Sequence, residues 1–249
     1  EIEDIKTTLI RLLRRKPNEY LTGTNLKRLS PKFAMITNNI VKSPGSALVY
    51  SQYREESIEI LALVLEQHGF TRFKMRLNHK TNDWEEYVEN EADRDKPKIA
   101  FYTGKESQDE KAMIKRIFNS DFSTFSPKLR KYFEAKDNGR GNLYGGIIKA
   151  LLVTSSAAEG IDLRNTRQVH IVEPYWNPVR TEQVKGRAVR YKSHLNLPKK
   201  DRNVQIFTYV SSFTKKQIAE NRALRAGEEE VELSSDQALL MISNRKSAI

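Results

Sequence analysis

The stretch IKALLVTSSAAEGIDLRNTRQVHIVEPYWNPVRTEQVKGRAVR, residues 148–190, contains two short apolar runs followed by a helical pattern. The runs at 148–155 and 167–173 are apolar on both faces and bounded by small, turn-forming residues, which is typical of strands buried in a parallel sheet. The pattern at 178–191 begins with Pro178, a residue favoured at the first position of a helix. A strand, a loop, a second strand and a helix in this order predict an α/β fold.

The same alternation extends along most of the chain. Further strands are predicted at 46–51, 73–77, 98–103 and 203–210, with helices at 55–69, 108–119 and 213–225. Strands that alternate with helices predict a doubly wound parallel sheet between two helix layers, in which ligands bind outside the carboxyl ends of the strands. We expect three parts: a helical lead-in at 1–45, the α/β domain at 46–226 with polar insertions at 78–97 and 120–146, and a capping helix within 227–249.

Composition narrows the class of protein without deciding it. Lys and Arg number 43 against 32 Asp and Glu, so the net charge is +11. This excess favours nucleic acid as a partner, although a merely basic soluble surface has the same composition. The absence of cysteine excludes thiolate chemistry. No run approaches the roughly 18 apolar residues of a membrane span, and a chain that begins with Glu1 is expected to be a piece of a longer protein.

Two features that resemble ligand sites are weak ones. The second insertion is locally basic through Lys128, Arg130 and Lys131, which fits either a nucleic-acid contact or a solvated face. Gly104 and Lys105 follow a predicted strand, but the upstream glycine and the hydroxyl of a phosphate-binding loop are missing. The four histidines lack the spacing of metal ligands, so no metal site is expected.

The predicted helix at 178–191 carries the most informative polar residues. Gln183, Arg187 and Arg190 stand at i, i+4 and i+7 and would share one face, and Gly186 leaves room for a close approach. Two guanidinium groups suit the oxygens of a phosphoryl group, although arginines in surface ion pairs have the same spacing. The loop after the strand at 148–155 offers Gly160 and Asp162, which fit either a nucleotide contact or an ordinary tight turn.

Four motifs in order resemble the second RecA-like lobe of superfamily 2 helicases and translocases. They span residues 46–210 and read ALVYSQYREESIEILALVLEQHG, IAFYTGKESQDEKAMIKRIFN, TSSAAEGIDL and QVKGRAVR. Within this superfamily, EPYWNP resembles the box of Swi/Snf-type remodelling ATPases. The segments AEGI, GRAVR with SH and LP downstream, and the terminal SSD are similar to the helicase-like ATPases of large DNA viruses, the poxvirus early transcription factor and nucleoside triphosphatase group.

The resemblance implies a role for each matched residue. Arg187 and Arg190 would reach the terminal phosphates of ATP, with Gln183 ordering that contact. The residues expected to face the nucleotide are Glu159, Gly160, Asp162 and Gly186. Those expected to touch or shape the nucleic-acid path are Ser51, Gln52, Thr154, Trp176 and Asn177, although Trp176 could equally anchor its helix to the core.

The resemblance also implies what this chain lacks. No Walker A lysine and no D-E-x-[DH] carboxylate pair occurs, so ATP with Mg²⁺ would be held mainly by an N-terminal RecA-like lobe. We therefore expect a nucleic-acid-dependent ATPase that is inactive as this fragment, with DNA favoured over RNA as its track, and transcription machinery as a further partner. The expected location is intracellular: host cytoplasm or virion if viral, and nucleus otherwise. The alternative is a non-catalytic nucleic-acid- or protein-binding module derived from a helicase lobe.

Overall fold

A computed structural model describes residues 2–158, 160–220, 225–226, 230–231 and 233–247. Its main sheet has the strand order β2-β5-β6-β1-β7-β8, and every pairing in it is parallel. The strands are β1 Ser46–Ser51, β2 Thr71–Arg72, β3 Met75–Asn78, β4 Asp83–Glu86, β5 Lys98–Tyr102, β6 Ile148–Thr154, β7 Thr166–Ile171, β8 Gln205–Thr208, β9 Arg225–Ala226 and β10 Glu230–Val231. The predicted doubly wound RecA-like sheet is confirmed.

Helices cover both faces of this sheet. They are α1 Ile2–Arg15, α2 Pro17–Tyr20, α3 Gly23–Leu29, α4 Pro31–Lys42, a π-helical turn Arg54–Glu59 that runs into α5 Ile60–Gln67, α6 Gln108–Phe118, α7 Pro127–Glu134, α8 Lys136–Gly139, α9 Ser155–Ala158, α10 Pro178–Ala188, α11 Lys215–Glu220 and α12 Ser235–Ser247. Single 3₁₀ turns occupy Glu91–Asp93 and Lys199–Asp201. No helix in these described ranges is long and apolar enough to cross a membrane.

The period-two alternation of each central strand builds two cores. On β1, Leu48 and Tyr50 enter one cluster, and Ala47 and Val49 enter the other. The first cluster also receives α6, α7 and α10, while α4 and α5 belong to the second. Because both faces are covered, β1 and β7 are buried along their whole length.

The N-terminal helices form a third layer. Leu13, Leu21 and Leu26 pack against Leu63 and Val64 of α5. The helix predicted at 55–69 is buried at residues 61–65 of α5, because the sheet covers one side and these leucines cover the other. The fourth helix, α4, shares the core of the sheet, so a boundary at residue 45 would divide packed elements. The domain boundaries stay a prediction.

The first insertion contains a strand that the sequence concealed. β4 pairs antiparallel with β3, and Leu77 stands opposite Trp84 in this hairpin. The strand predicted at 73–77 therefore lies outside the main sheet, whose edge is β2. The polar sequence DWEE of β4 gives no alternation signal. Trp84 nevertheless packs against the core, and this contact stabilises the hairpin.

Candidate functional site

The arginine-bearing helix α10 is shorter than predicted. Asn177 caps its start by accepting a hydrogen bond from the Val179 amide at 3.1 Å. The helix ends at Ala188, because Val189 leaves helical geometry at φ −109° and ψ 84°. A glycine at 186 and a β-branched residue at 189 both weaken the last turn. Gln183 and Arg187 therefore share a helix face, whereas Arg190 lies beyond the helix end.

The polar face of α10 lies against the segment that follows β6. Val184 and Ala188 are buried in the core, and this fixes the rotation of the helix. Gln183 and Arg187 then border a crevice of about 20 Å³, whose other walls include Ser155 and Tyr50. Arg180, one helical turn before Gln183, borders the same crevice and was not singled out from the sequence. Its guanidinium lies 4.5 Å from the centre of the Tyr175 ring.

Arg190 and Asp162 form an exposed ion pair. Their side chains are 47% and 62% exposed, respectively. The segment that carries Asp162 is held by Asn119 at the end of α6, which donates to the Asp162 carbonyl at 2.8 Å and accepts from the Arg164 amide at 2.8 Å. A surface cavity of about 380 Å³ lies along Asp162, Arg190 and Tyr191. Two predicted site residues from distant motifs thus meet at one cavity.

The two predicted glycines of the site border open space. Gly160 has a φ of +75°, a backbone conformation that favours glycine. A methyl group added at Gly160 or at Gly186 would meet no atom of a packed neighbour within 4 Å. The close approach expected at Gly186 is thus not made by the rest of the described chain. Glu159, also predicted for this site, lies outside the described residues.

At the carboxyl edge of the sheet, the residues predicted to contact nucleic acid form hydrogen bonds with other residues of this chain. The hydroxyl of Ser51 donates to the Glu173 carboxylate at 3.0 Å, and the Gln52 amide donates to it at 2.5 Å. Thr154, next to Ser51 across the sheet, is buried, and its hydroxyl lies 3.1 Å from that of exposed Ser156. Burial raises the pKa of Glu173 above its ordinary value of 4.5.

Trp176 and Asn177 have contacts that explain their positions. Trp176 is 43% exposed, and Lys246 Nζ of α12 lies 3.9 Å from the centre of its ring. Asn177 is the N-cap described above, so its side-chain oxygen is occupied by α10 itself. Both residues link the end of β7 to helices, and their role toward nucleic acid stays a prediction.

The Gly104–Lys105 turn is held by carboxylates of its own chain. Lys105 Nζ lies 3.4 Å from Glu55, and the Thr103 amide donates to Glu106 at 2.5 Å. Among the described residues, no group of three or more His, Asp or Glu side chains could hold a metal ion. Glu173 and Asn119 were missed as site residues because only the folded chain brings them beside their partners.

Residues 136–192 match the helicase conserved C-terminal domain. Together with the parallel sheet and the ordered motifs, this match defines the class of the chain as the C-terminal RecA-like lobe of a superfamily 2 helicase. The resemblance stated from the motifs is thereby confirmed.

Two similar relatives are viral proteins. The termination factor NPH-I homolog of African swine fever virus (isolate Tick/Malawi/Lil 20-1/1983) is 33% identical over 201 residues, which cover 73% of this chain and 26% of that protein. A candidate ATP-dependent RNA helicase of Acanthamoeba polyphaga mimivirus, R350, is 31% identical over 187 residues, which cover 75% of this chain and 18% of that protein. The chain thus spans about a quarter or less of these relatives' length. A crystal structure of the C-terminal part of the Fun30 ATPase domain overlaps 96% of this chain and 62% of its own, at 16% identity and a TM-score of 0.48.

Proposed function

We propose that this chain is the C-terminal motor lobe of an ATP-dependent nucleic-acid helicase or translocase, and that it supplies Arg187 and Arg190 to ATP held by a preceding lobe. One observation carries the proposal. Arg187 borders a crevice beside Ser155 and Ala158, and Arg190 pairs with Asp162 at a neighbouring cavity, so both arginines of the last motif lie beside residues of the preceding motif. We infer that both guanidinium groups serve a ligand outside the lobe.

The positive charges of Arg187 and Arg190 fit the terminal phosphates of a nucleotide. Guanidinium groups bind phosphate oxygens through two parallel hydrogen bonds, and their charge stabilises the transition state of phosphoryl transfer. The open space at Gly160 and Gly186 lets a ligand or a second lobe approach the backbone. Residues for a magnesium site and for activating water are absent from this sequence, so we expect this fragment alone not to hydrolyse ATP.

The Arg190–Asp162 ion pair is weak, so Arg190 can exchange Asp162 for such a ligand. An exposed ion pair contributes only about 0–1 kcal/mol, because water and salt screen it. Exchanging Asp162 for a phosphate therefore costs little. Before the nucleotide arrives, Asp162 would keep the Arg190 guanidinium at this cavity.

We further propose that the carboxyl edge of the sheet contacts the nucleic-acid backbone. Ser51 is already engaged by Glu173, so Gln52 and the Thr154–Ser156 pair are the better candidates for direct contacts. DNA is the preferred track, and viral transcription within the host cytoplasm or virion is the proposed setting. Some relatives bear the name of RNA helicases and others that of a termination factor, so the track needs a direct comparison.

The decisive experiment is Arg190→Ala in the full-length protein, tested for nucleic-acid-stimulated ATPase. Loss of an arginine finger lowers kcat by about 10³- to 10⁵-fold. Folding should be unaffected, because the Arg190 side chain is exposed. The measurement is steady-state ATP turnover with saturating single-stranded DNA and, in parallel, RNA.

A matched control removes an arginine with a similar surface environment. Arg130 is 54% exposed and pairs with Glu134 within α7, so Arg130→Ala should leave kcat unchanged. Normal turnover of Arg190→Ala would refute the arginine-finger proposal. No ATPase in the wild-type full-length protein, together with salt-sensitive DNA binding, would instead favour the non-catalytic binding module.

A further inference from the structure

Arg190 lacks the support of a helix, because α10 ends two residues before it. A different device holds its backbone. The Arg190 amide donates to the Ser193 hydroxyl at 3.3 Å, and the Ser193 amide donates back to the Arg190 carbonyl at 3.0 Å. Ser193 is buried, so no bulk water competes for its hydroxyl.

His194 connects this serine to the main sheet. Its Nδ1 lies 2.7 Å from Ser193 Oγ, and its Nε2 lies 2.7 Å from the carbonyl oxygen of Thr166, the first residue of β7. Both ring nitrogens therefore have a partner. The Asn165 amide also donates to the Ser193 carbonyl at 2.9 Å, which brings the two segments together.

The chemistry of the Thr166 carbonyl fixes the direction of its hydrogen bond. A carbonyl oxygen can only accept, so Nε2 is the donor, and in the tautomer that carries its single proton on Nε2 the other nitrogen, Nδ1, is an acceptor. The Ser193 hydroxyl can then donate to Nδ1 while its lone pair accepts from the Arg190 amide. The Arg190 and Ala188 carbonyls are also within reach of this hydroxyl, at 2.9 and 3.3 Å, but Nδ1 is the nearest acceptor.

We propose that Ser193 and His194 are positioning residues for Arg190: they form a relay from the Arg190 amide, through the Ser193 hydroxyl and the His194 imidazole, to the start of β7. The relay rests on the proposed function of Arg190 and specifies how that arginine is placed. Its task is to keep the Arg190 backbone at a fixed distance from the sheet. Misplacement of a catalytic group by about 1 Å can lower a rate by about 100-fold.

Two substitutions of His194 separate the relay from simple anchoring of the loop. In His194→Asn, the side-chain oxygen occupies roughly the place of Nδ1 and still accepts from Ser193, but the link to Thr166 is lost. In His194→Gln, the side-chain nitrogen can still donate to the Thr166 carbonyl, but the acceptor for Ser193 is lost. Each variant breaks one of the two links that the relay needs, so we expect kcat of the full-length ATPase to fall about tenfold in both; normal turnover in one of them would mean that the link it lost does not position Arg190.

A second pair of measurements tests coupling. Ser193→Ala should lower kcat about as much as His194→Gln, and the double variant should be no worse than either single one, because residues of one chain of contacts are not additive. The KM for ATP should stay within about twofold, since the relay sets orientation rather than binding. Hydrogen–deuterium exchange of the full-length protein should be faster for peptides containing the Arg190 amide in Ser193→Ala, His194→Gln and His194→Asn alike.

The controls keep the two proposals apart. His68 is an exposed histidine whose Nδ1 lies 2.7 Å from the Val64 carbonyl, so His68→Gln removes an imidazole elsewhere and should leave kcat unchanged. Arg190→Ala is measured in the same assay. If Arg190→Ala abolishes turnover while either His194 variant keeps the wild-type kcat, or while the losses of the single variants simply add, the relay is refuted and the arginine finger stands. If Arg190→Ala turns over normally, the proposed function fails first.

Discussion

Glu59 and Glu173 are similarly buried, at 8% and 9% exposure, yet their pKa values shift in opposite directions. Burial raises the pKa of both carboxyls. At Glu59, guanidinium groups of Arg14 and Arg72, at 2.9 and 2.8 Å, outweigh burial and hold the pKa below 4.5. At Glu173, the direct partners are the neutral donors of Ser51 and Gln52, so burial prevails and the pKa is raised.

The opposite pKa shifts show that the two carboxylates have different roles. Glu59 stabilises the fold, whereas Glu173 holds the backbone at the carboxyl edge of the main sheet. Glu59, the last residue of the π-helical turn before α5, ties α1 and β2 to this turn through opposite charges, and its ionised form favours folding. Glu173 is buried without an arginine or lysine in direct contact among the described residues, so its charge costs stability at neutral pH. Its carboxylate also accepts a hydrogen bond from the amide of Gln52, the first residue after β1, at the edge of the sheet that we propose to contact nucleic acid.

The largest expected effect on stability follows from removing the charge of Glu59. Glu59→Gln keeps the shape but leaves Arg14 unpaired and deprives Arg72 of one of its two carboxylate partners. We expect the free energy of unfolding to fall by about 2 kcal/mol at pH 7, less than for a fully buried pair because Glu66 still binds Arg72. Urea unfolding monitored by circular dichroism measures this change. Glu134→Gln, which breaks an exposed pair on α7, should change it by less than about 0.5 kcal/mol.

The pH dependence of that loss has a definite sign. A carboxyl whose pKa is lowered in the folded state contributes stability above its unfolded pKa of 4.5, and this contribution disappears as pH falls through the folded pKa. The difference between wild type and Glu59→Gln should therefore be constant from pH 7 to about pH 5 and shrink below pH 4.5. A difference that grows on acidification would contradict the role of the two arginines.

Much of this architecture could be predicted because its signals are local. Apolar runs bounded by turn residues located β1, β5, β6 and β7 within two residues. The starts of α4 and α12 are also encoded locally, because the hydroxyls of Ser30 and Ser234 accept hydrogen bonds from the Phe33 and Gln237 amides. β4 escaped detection because its pattern is polar. The helix predicted to run to residue 191 ends at Ala188, because Gly186 and Val189 weaken its last turn.

The candidate site divides in the same way. Arg187, Arg190, Gly160 and Asp162 were recognised from motif order, and the structure brings Arg190 and Asp162 into contact. These site residues are held by Asn119, Ser193 and His194. Asn119 and His194 contact backbone atoms of segments distant in sequence, and Ser193 contacts the Arg190 backbone across a turn. No spacing rule encodes such contacts, because they exist only after β6, β7 and α10 have packed.

Removing the charge of Glu173 should change stability in the opposite direction to removing that of Glu59. Because the pKa of Glu173 is raised in the folded state, its contribution to stability is present below 4.5 and is lost as pH rises through the folded value. Glu173→Gln keeps an acceptor for Ser51 and Gln52 without the buried charge. We expect it to be more stable than wild type by about 1 kcal/mol at pH 7 and equal to it near pH 4. Destabilisation at pH 7 would show that a counter-charge compensates Glu173 after all.

The smallest expected effect concerns Ser51, which the motif resemblance assigned to the nucleic-acid strand. Its hydroxyl is fully buried and donates to Glu173, so a bound phosphate would have to displace a charge-assisted hydrogen bond to reach it. Ser51→Ala should therefore change the dissociation constant for single-stranded DNA by less than about twofold and leave its salt dependence unaltered, since no phosphate contact is removed. Fluorescence anisotropy across a series of salt concentrations makes this measurement on the full-length protein. A clear loss of affinity would mean that Glu173 releases Ser51 when DNA binds. The carboxyl edge of the sheet would then rearrange on binding, whereas the contacts of Glu173 favour an edge that stays fixed.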